Sequence, residues 1–373
     1  MLLASGEIRR APVRFGLLAG AVGLLMFLVF FQQTLMSSLL DSFTGALRNQ
    51  SGAVLVYSSE SRKNLEASML SPNVMAEVAA AAGVDQAGPL GVATLTFLVN
   101  GRQLDVAVIG TEPGKPGGPT KLISGREARA PGEGVASSER SGIALGDTVT
   151  AAAGEAPITV VGLTEQSQFS VQPTLFVTFD TYTTLRKSAN PDAAEVPPSA
   201  VAVTPSAGVS PQALAATINA TVPAVTALTR GDAAASVPGV SSTQGSFAIV
   251  LGLAVMVAAL VTGFFFLILT VQKTSSLTLL RAVGAPAGYL VRSLIGQLIV
   301  VLGVALLVAT GLLVAAAAVA DTGLALTFQP RALINSAFVI AGLALLGTAF
   351  SVWRVLRIEP FRAVSRAGLE GVE

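Results

Sequence analysis

The sequence predicts a helical membrane protein with four transmembrane helices and an α/β extracytoplasmic domain inserted between helices 1 and 2. Two observations carry this. Four long apolar stretches are free of charge: between Arg14 and Asp41, between Asp232 and Lys273, between Arg292 and Asp321, and between Arg331 and Arg354. Each has room for the roughly 20 apolar residues that cross a ~30 Å hydrocarbon core. The segment between the first two stretches has ordinary charge and enough length for a domain. Composition agrees, with 12% charged residues and a mean hydropathy of +0.68; a soluble protein carries about twice that charged share.

The distribution of charge orients the chain. Residues 1–14, 273–292 and 354–373 hold ten Lys/Arg and four Asp/Glu, while the remainder holds thirteen and eighteen. The first set is expected in the cytoplasm, with both termini, and the inserted domain outside the cell membrane. Residues 1–14 read as a cytoplasmic arm and 15–40 as the first span. That apolar run is too long for a signal-peptide core, so an uncleaved signal-anchor is expected. The helix is expected to continue through Asp41–Leu47 as a stalk.

Residues 41–245 read as mixed α/β. Ala53–Tyr57, Ala93–Val99, Leu104–Gly110, Ala156–Leu163, Thr174–Phe179 and Ala200–Val203 have strand character. Asn100-Gly101 is the dipeptide of two-residue hairpin turns. Helices are predicted over 72–82, after Ser71 as N-cap, over 180–186, and over 211–217, opened by Ser210-Pro211. Residues 111–120 read as a loop, 188–198 as a linker, and 229–245 as a polar lead into the second span. The second span is placed at 246–272, a cytoplasmic coupling region at 273–292, and the third span at 293–320. An external loop follows at 321–331, then the fourth span at 332–353 and a cytoplasmic tail at 354–373.

The chain has no Cys and no His. The domain therefore has no disulfide, and the commonest metal ligand and general base is missing. No phosphate-binding loop matches either: Gly110 to Pro116 has the wrong spacing. No catalytic residues are expected, and an enzyme is not the predicted class.

The informative motif follows the second span: Gln272-Lys273-Thr-Ser-Ser-Leu277-Thr-Leu279-Leu280-Arg281-Ala282-Val283-Gly284-Ala285-Pro286. Leu277, Leu280 and Val283 recur at helical spacing, and Gly284 and Pro286 mark a helix end. This segment resembles the "LLRAVGA" coupling region of FtsX/MacB-type ABC transporter permeases. Residues 141–164 resemble that family's paired "G-D-x-V … V-V-G" strands, and 357–366 its "I-x-P-x-x-A-L-R" tail. The resemblance covers the whole layout of spans and insert. It implies a homodimeric permease working with two copies of a separate ABC ATPase, since residues 1–14 leave no room for a fused one. Leu277, Leu279, Leu280, Arg281, Ala282, Val283 and Gly284 would then engage the ATPase, which binds ATP and Mg. The protein would need no intrinsic cofactor, and its partners would be lipid and protein rather than nucleic acid.

Residues 33–43, 53–70 and 88–93 most resemble the HrtB/DevC branch, which includes haem exporter permeases. A haem substrate would have to be held without His or Cys, in an aromatic, Met-containing cleft. Gln33, Met36, Leu40 and Phe43 fall on one helical face, and Phe247 opens the second span. Gln32 and Gln33 are amides inside a span and need partners there. Met36 or Tyr57 is the candidate ligand for a haem iron. A plainer reading of the same residues is lipid contact or dimer packing. Lipid, lipoprotein or drug export, and a mechanical signaller acting on a cell-wall hydrolase, are the alternatives that the family resemblance leaves open.

Overall fold

A computed structural model describes residues 12–138, 142–152, 157–192, 195–272, 287–319 and 330–356. The chain forms two compact units. One, the helical unit, contains the membrane-type helices; the other, spanning Ser37–Gly245, is built on a sheet. Helix α1 (Pro12–Arg48) contributes residues to both.

The sheet unit contains ten strands: β1 (Val54–Ser58), β2 (Val84–Val99), β3 (Arg102–Thr111), β4 (Leu122–Gly125), β5 (Glu133–Ser137), β6 (Thr148–Ala151), β7 (Pro157–Thr164), β8 (Thr174–Thr178), β9 (Ala200–Pro205) and β10 (Val225–Thr229). Their order is β10-β1-β9-β2-β3-β8-β5-β7-β4, with β6 joining β2 to β7. The pairing β2-β3-β8-β5-β7-β6-β2 closes a six-stranded barrel, and closure removes free edges. Its interior is apolar, with Phe97, Val108, Ile158 and Leu175 all fully buried. The 16-residue β2 belongs to two structures at once. Its first half pairs with β9, extending the antiparallel set β10-β1-β9-β2, and its second half is a barrel stave.

Local chemistry explains several elements. The β2–β3 register pairs Val99 with Arg102, so Asn100 and Gly101 form a two-residue turn, with φ of 48° and 78°. Asn-Gly suits that conformation. Helix α2 (Pro72–Ala79) and α4 (Pro211–Thr221) begin as expected: Ser71 accepts from the Val74 amide and Ser210 from the Ala213 amide, with proline in each first turn. The second family-like motif, around Gly146-Asp147, forms the antiparallel pair β6–β7. Helix α3 (Phe179–Ala189) lays the Tyr182 ring across Gly91 and Gly110, which face each other in the β2–β3 register. A Cβ at either glycine would run into that ring. The phenol donates to the Val92 carbonyl at 3.2 Å.

Some elements depart from the sequence reading. Strands β4 and β5 were not anticipated, because each is short and rich in Gly, Ser or Ala. The run 229–245 carries the end of β10, helix α5 (Arg230–Ala235) and the start of helix α6 (Val240–Gln272). A hydrogen-bonded N-cap, Thr229 to the Asp232 amide, starts α5 despite the polar composition.

In the helical unit, α1 packs on helix α7 (Ala287–Val319). Phe15, Leu18 and Ala19 meet Leu298 and Val301. Val22, Met26, Val29 and Phe30 cluster with Ala305, Ala309 and Leu313, and with Ile340 of helix α8 (Pro330–Leu356). At Gly23 an added Cβ would lie 3.0 Å from Val308; small residues permit such close helix approach in membranes. Among the described residues, three helices are long and apolar enough to cross a membrane, at Phe15–Arg48, Val240–Phe265 and Ile295–Val319. The fourth expected span coincides with α8, whose described apolar stretch is the shorter Leu333–Leu343.

Candidate functional site

The residues singled out on α1 fall into two groups. Gln32, Gln33 and Met36 lie in the helical unit, as does Phe247 on α6. The Ser336 hydroxyl of α8 donates to Gln33 Oε1 at 2.8 Å, so one of the two amides is paired between helices. The Gln32 Nε2 is buried and has no partner among the described residues. An amide nitrogen left so within an apolar environment costs free energy unless a ligand, lipid group or protein reaches it. On the same helix the Phe27 and Phe31 rings pair, with centroids 5.8 Å apart. Phe247 is half-buried and shares a helical face with Leu251, which packs against the cluster of Val22, Met26, Val29 and Phe30. Amides, aromatic rings and a thioether therefore lie within one stretch of α1, a composition suited to a flat, mostly apolar molecule with polar edges.

Leu40, Phe43 and Tyr57 lie in the sheet unit, and one apolar cluster includes all three. Phe43 and Tyr57 line a cavity of about 120 Å³ together with Leu47, Leu65, Phe169 and Val237. A cavity of ~150 Å³ accepts a benzene-sized guest, and pockets for cofactor-sized molecules begin near 300 Å³. This cavity holds one side-chain-sized group and is too small for a porphyrin. Burial also raises the Tyr57 pKa well above the ordinary phenol value, because desolvation disfavours the charged form. Tyr57 is buried in the apolar cluster that lines this cavity. Among the described residues no cluster of Asp or Glu is arranged to hold a metal ion.

The coupling residues Leu277 to Gly284 and the tail motif at 357–366 lie outside the described residues. Sequence reasoning missed the segment 166–172, which contributes Phe169 and Ser170 to the cavity wall.

The family model described as "FtsX-like permease C-terminal" matches residues 248–360, which span α6, the coupling motif, α7 and α8. Among solved structures, the extracellular domain of the noncanonic ABC-type transporter YknZ from Gram-positive bacteria aligns at 15% identity. That alignment covers 47% of this chain and 98% of the other, with a TM-score of 0.33. The periplasmic region of MacB from Actinobacillus actinomycetemcomitans aligns at 12% identity over 50% and 92%, with a TM-score of 0.35. The helices that follow the sheet unit are thus similar to the C-terminal domain of FtsX-like permeases.

Proposed function

We propose that this chain is the permease subunit of an ABC exporter that expels a hydrophobic substrate from the membrane, with haem as the first candidate. The observation that carries the reading is the FtsX-like permease match over 248–360, which contains the Leu277–Gly284 motif at its expected place between two apolar helices. The chain works as a homodimer with two copies of a separate ATPase. All four apolar stretches cross the cytoplasmic membrane, the sheet unit is extracytoplasmic and both termini are cytoplasmic. ATP-driven closure of the ATPases acts on Leu279, Leu280, Arg281 and Ala282. Substrate enters from the lipid or outer face and meets the α1 stretch of Gln32, Gln33 and Met36, where the Gln32 amide and the neighbouring rings supply polar and flat apolar contacts. Leu40 and Phe43 follow at helical spacing along α1.

The test is purification of the full chain with its ATPase, followed by haem titration. A Soret band that weakens in Gln32→Leu and Met36→Leu supports the haem reading. A complex without any band, but with a bound cell-wall hydrolase, replaces it by the mechanical signaller. Bound lipid or lipoprotein replaces it by an extractor. Changing Leu280→Asp should abolish ATPase co-purification under all three; retention would remove the coupling assignment.

A further inference from the structure

Strand β10 is an outer strand of the sheet and pairs only with β1 among the described residues. Its register shows which of its backbone groups face outward. The Ser59 N–H donates to the Ala224 carbonyl at 3.0 Å and the Arg230 N–H to the Ala53 carbonyl at 3.0 Å. Both pairs continue the β1–β10 register at its two ends. In an antiparallel ladder every second residue bonds the partner strand. Residues 224, 226, 228 and 230 therefore turn toward β1, while Val225, Ala227 and Thr229 turn their backbone groups to the open side.

Such an edge is a template for another strand, and proteins blunt it with charge, proline or a covering element. From Val225 to Thr229 this strand has neither charge nor proline, and Val225, Thr226 and Thr229 are β-branched, which favours pairing. Its centre is closed instead by one side chain. Helix α4 packs Leu214, Ala215 and Ile218 in one cluster with Val225 and Ala227. From that helix, Asn219 reaches the outward groups of Ala227. The Ala227 N–H donates to Asn219 Oδ1 at 2.7 Å, and Asn219 Nδ2 donates to the Ala227 carbonyl at 2.9 Å. A residue of an added antiparallel strand would make the same two bonds, one given and one received. The carboxamide, with donor and acceptor on one planar group, matches a peptide unit in this. At the strand ends, the Val225 N–H donates to the Val222 carbonyl at 3.2 Å, and the Thr229 side chain caps α5. Ala227 is thus the position at which a further strand would have to bond.

We propose that Asn219 is a surrogate strand residue that keeps the β10 edge closed to the β10 strand of a second copy of this chain. Residues 225–229 are self-complementary about Ala227: two copies laid antiparallel would exchange the Ala227 N–H and C=O with each other, and no charge within the strand opposes that pairing. Asn219 occupies both groups first. The inference concerns the sheet unit and does not rest on the transport reading.

Strand addition to the full chain in micelles tests it, with a fluorescein-labelled peptide of residues 223–231 as the probe and fluorescence anisotropy as the readout. Asn219→Ala leaves the Ala227 N–H and C=O without their partner and should lower the peptide Kd at least about tenfold relative to the native chain. Adding Ala227→Pro deletes the outward N–H while leaving the bonds to β1 in place, and should return the Kd to the native value. An asparagine that only ties α4 to the sheet would give equal affinity in the native chain and Asn219→Ala; that result would overturn the proposal, as would peptide binding that survives the proline. Should Asn219→Ala not fold, Asn219→Asp serves. It keeps an acceptor for the N–H but loses the donor, so its Kd should fall by about threefold; no fall would count against the proposal.

Discussion

The sheet unit and the helical unit differ in how far each covers itself. In the sheet unit the apolar side chains of nearly every strand are buried in three clusters, and the barrel closes on itself. In the helical unit, 44% of the most apolar part of α1 is buried within the chain, against 28% for α7 and only 11% for α6. Ile249, Leu253, Met256, Leu260 and Phe264 of α6 are exposed. A water-facing domain must hide such groups to fold, whereas a helix in lipid gains little by hiding them, since acyl chains are as apolar as leucine. Among the described residues, one unit covers its apolar side chains with its own residues and the other leaves apolar helix faces exposed.

The sharpest way to break that comparison is to remove equivalent apolar bulk from each unit. Phe97→Ala, in the barrel interior, is expected to destabilise the sheet unit by about 3–5 kcal/mol, read by denaturant unfolding. Leu253→Ala on α6 should change stability by no more than about 0.5 kcal/mol. A cost of ~2 kcal/mol or more at Leu253 would show that protein, not lipid, covers that face.

A smaller effect is expected at the Gln33–Ser336 contact. A double-mutant cycle of Gln33→Leu and Ser336→Ala should give a coupling near 0.6 kcal/mol, the usual size for hydrogen bonds between membrane helices. A coupling of zero would mean that the amide finds another partner when Ser336 is lost.

The smallest and most local effect belongs to the sheet unit's surface. Arg126 donates to both oxygens of Glu133, one of them at 2.8 Å, and the Arg129 and Ala130 amides donate to the same carboxylate. These bonds, that from Arg126 foremost, lower the Glu133 pKa from 4.5 to about 2. A depressed carboxylate pKa contributes stability above the unfolded value and loses it as pH falls through the folded one. Order in the 126–133 loop should therefore persist at pH 5 and fade between about pH 4.5 and pH 2. Exchange rates at Arg129 and Ala130 would show it. Glu133→Gln should remove the pH dependence.

Much of the layout is legible in the sequence because the signals are local. Charge-free runs locate the apolar helices, Ser71 and Ser210 mark helix starts, and Asn100-Gly101 marks a hairpin. The candidate site was legible only in part. Gln33 could be read as an amide in need of a partner, but not that Ser336, some 300 residues later, provides it. Tyr57 looked available to a ligand, yet it is buried beneath Leu65 and Phe169. Strands such as Thr148–Ala151 carry too little pattern of their own; pairing with β2 and β7 makes them strands.

By itself the sequence determined which segments are apolar helices, where the large domain is inserted and which turns take positive φ without strain. These follow from residue chemistry over a few neighbouring positions. Only the tertiary structure decided that β2 serves both a barrel and the antiparallel set with β9, that Gln33 bonds α8, and that a Ser170-Val171 turn of positive φ bonds the α1 backbone. Each depends on contacts between residues far apart in the chain, whose energies are set by packing and hydrogen-bond geometry that local composition does not encode.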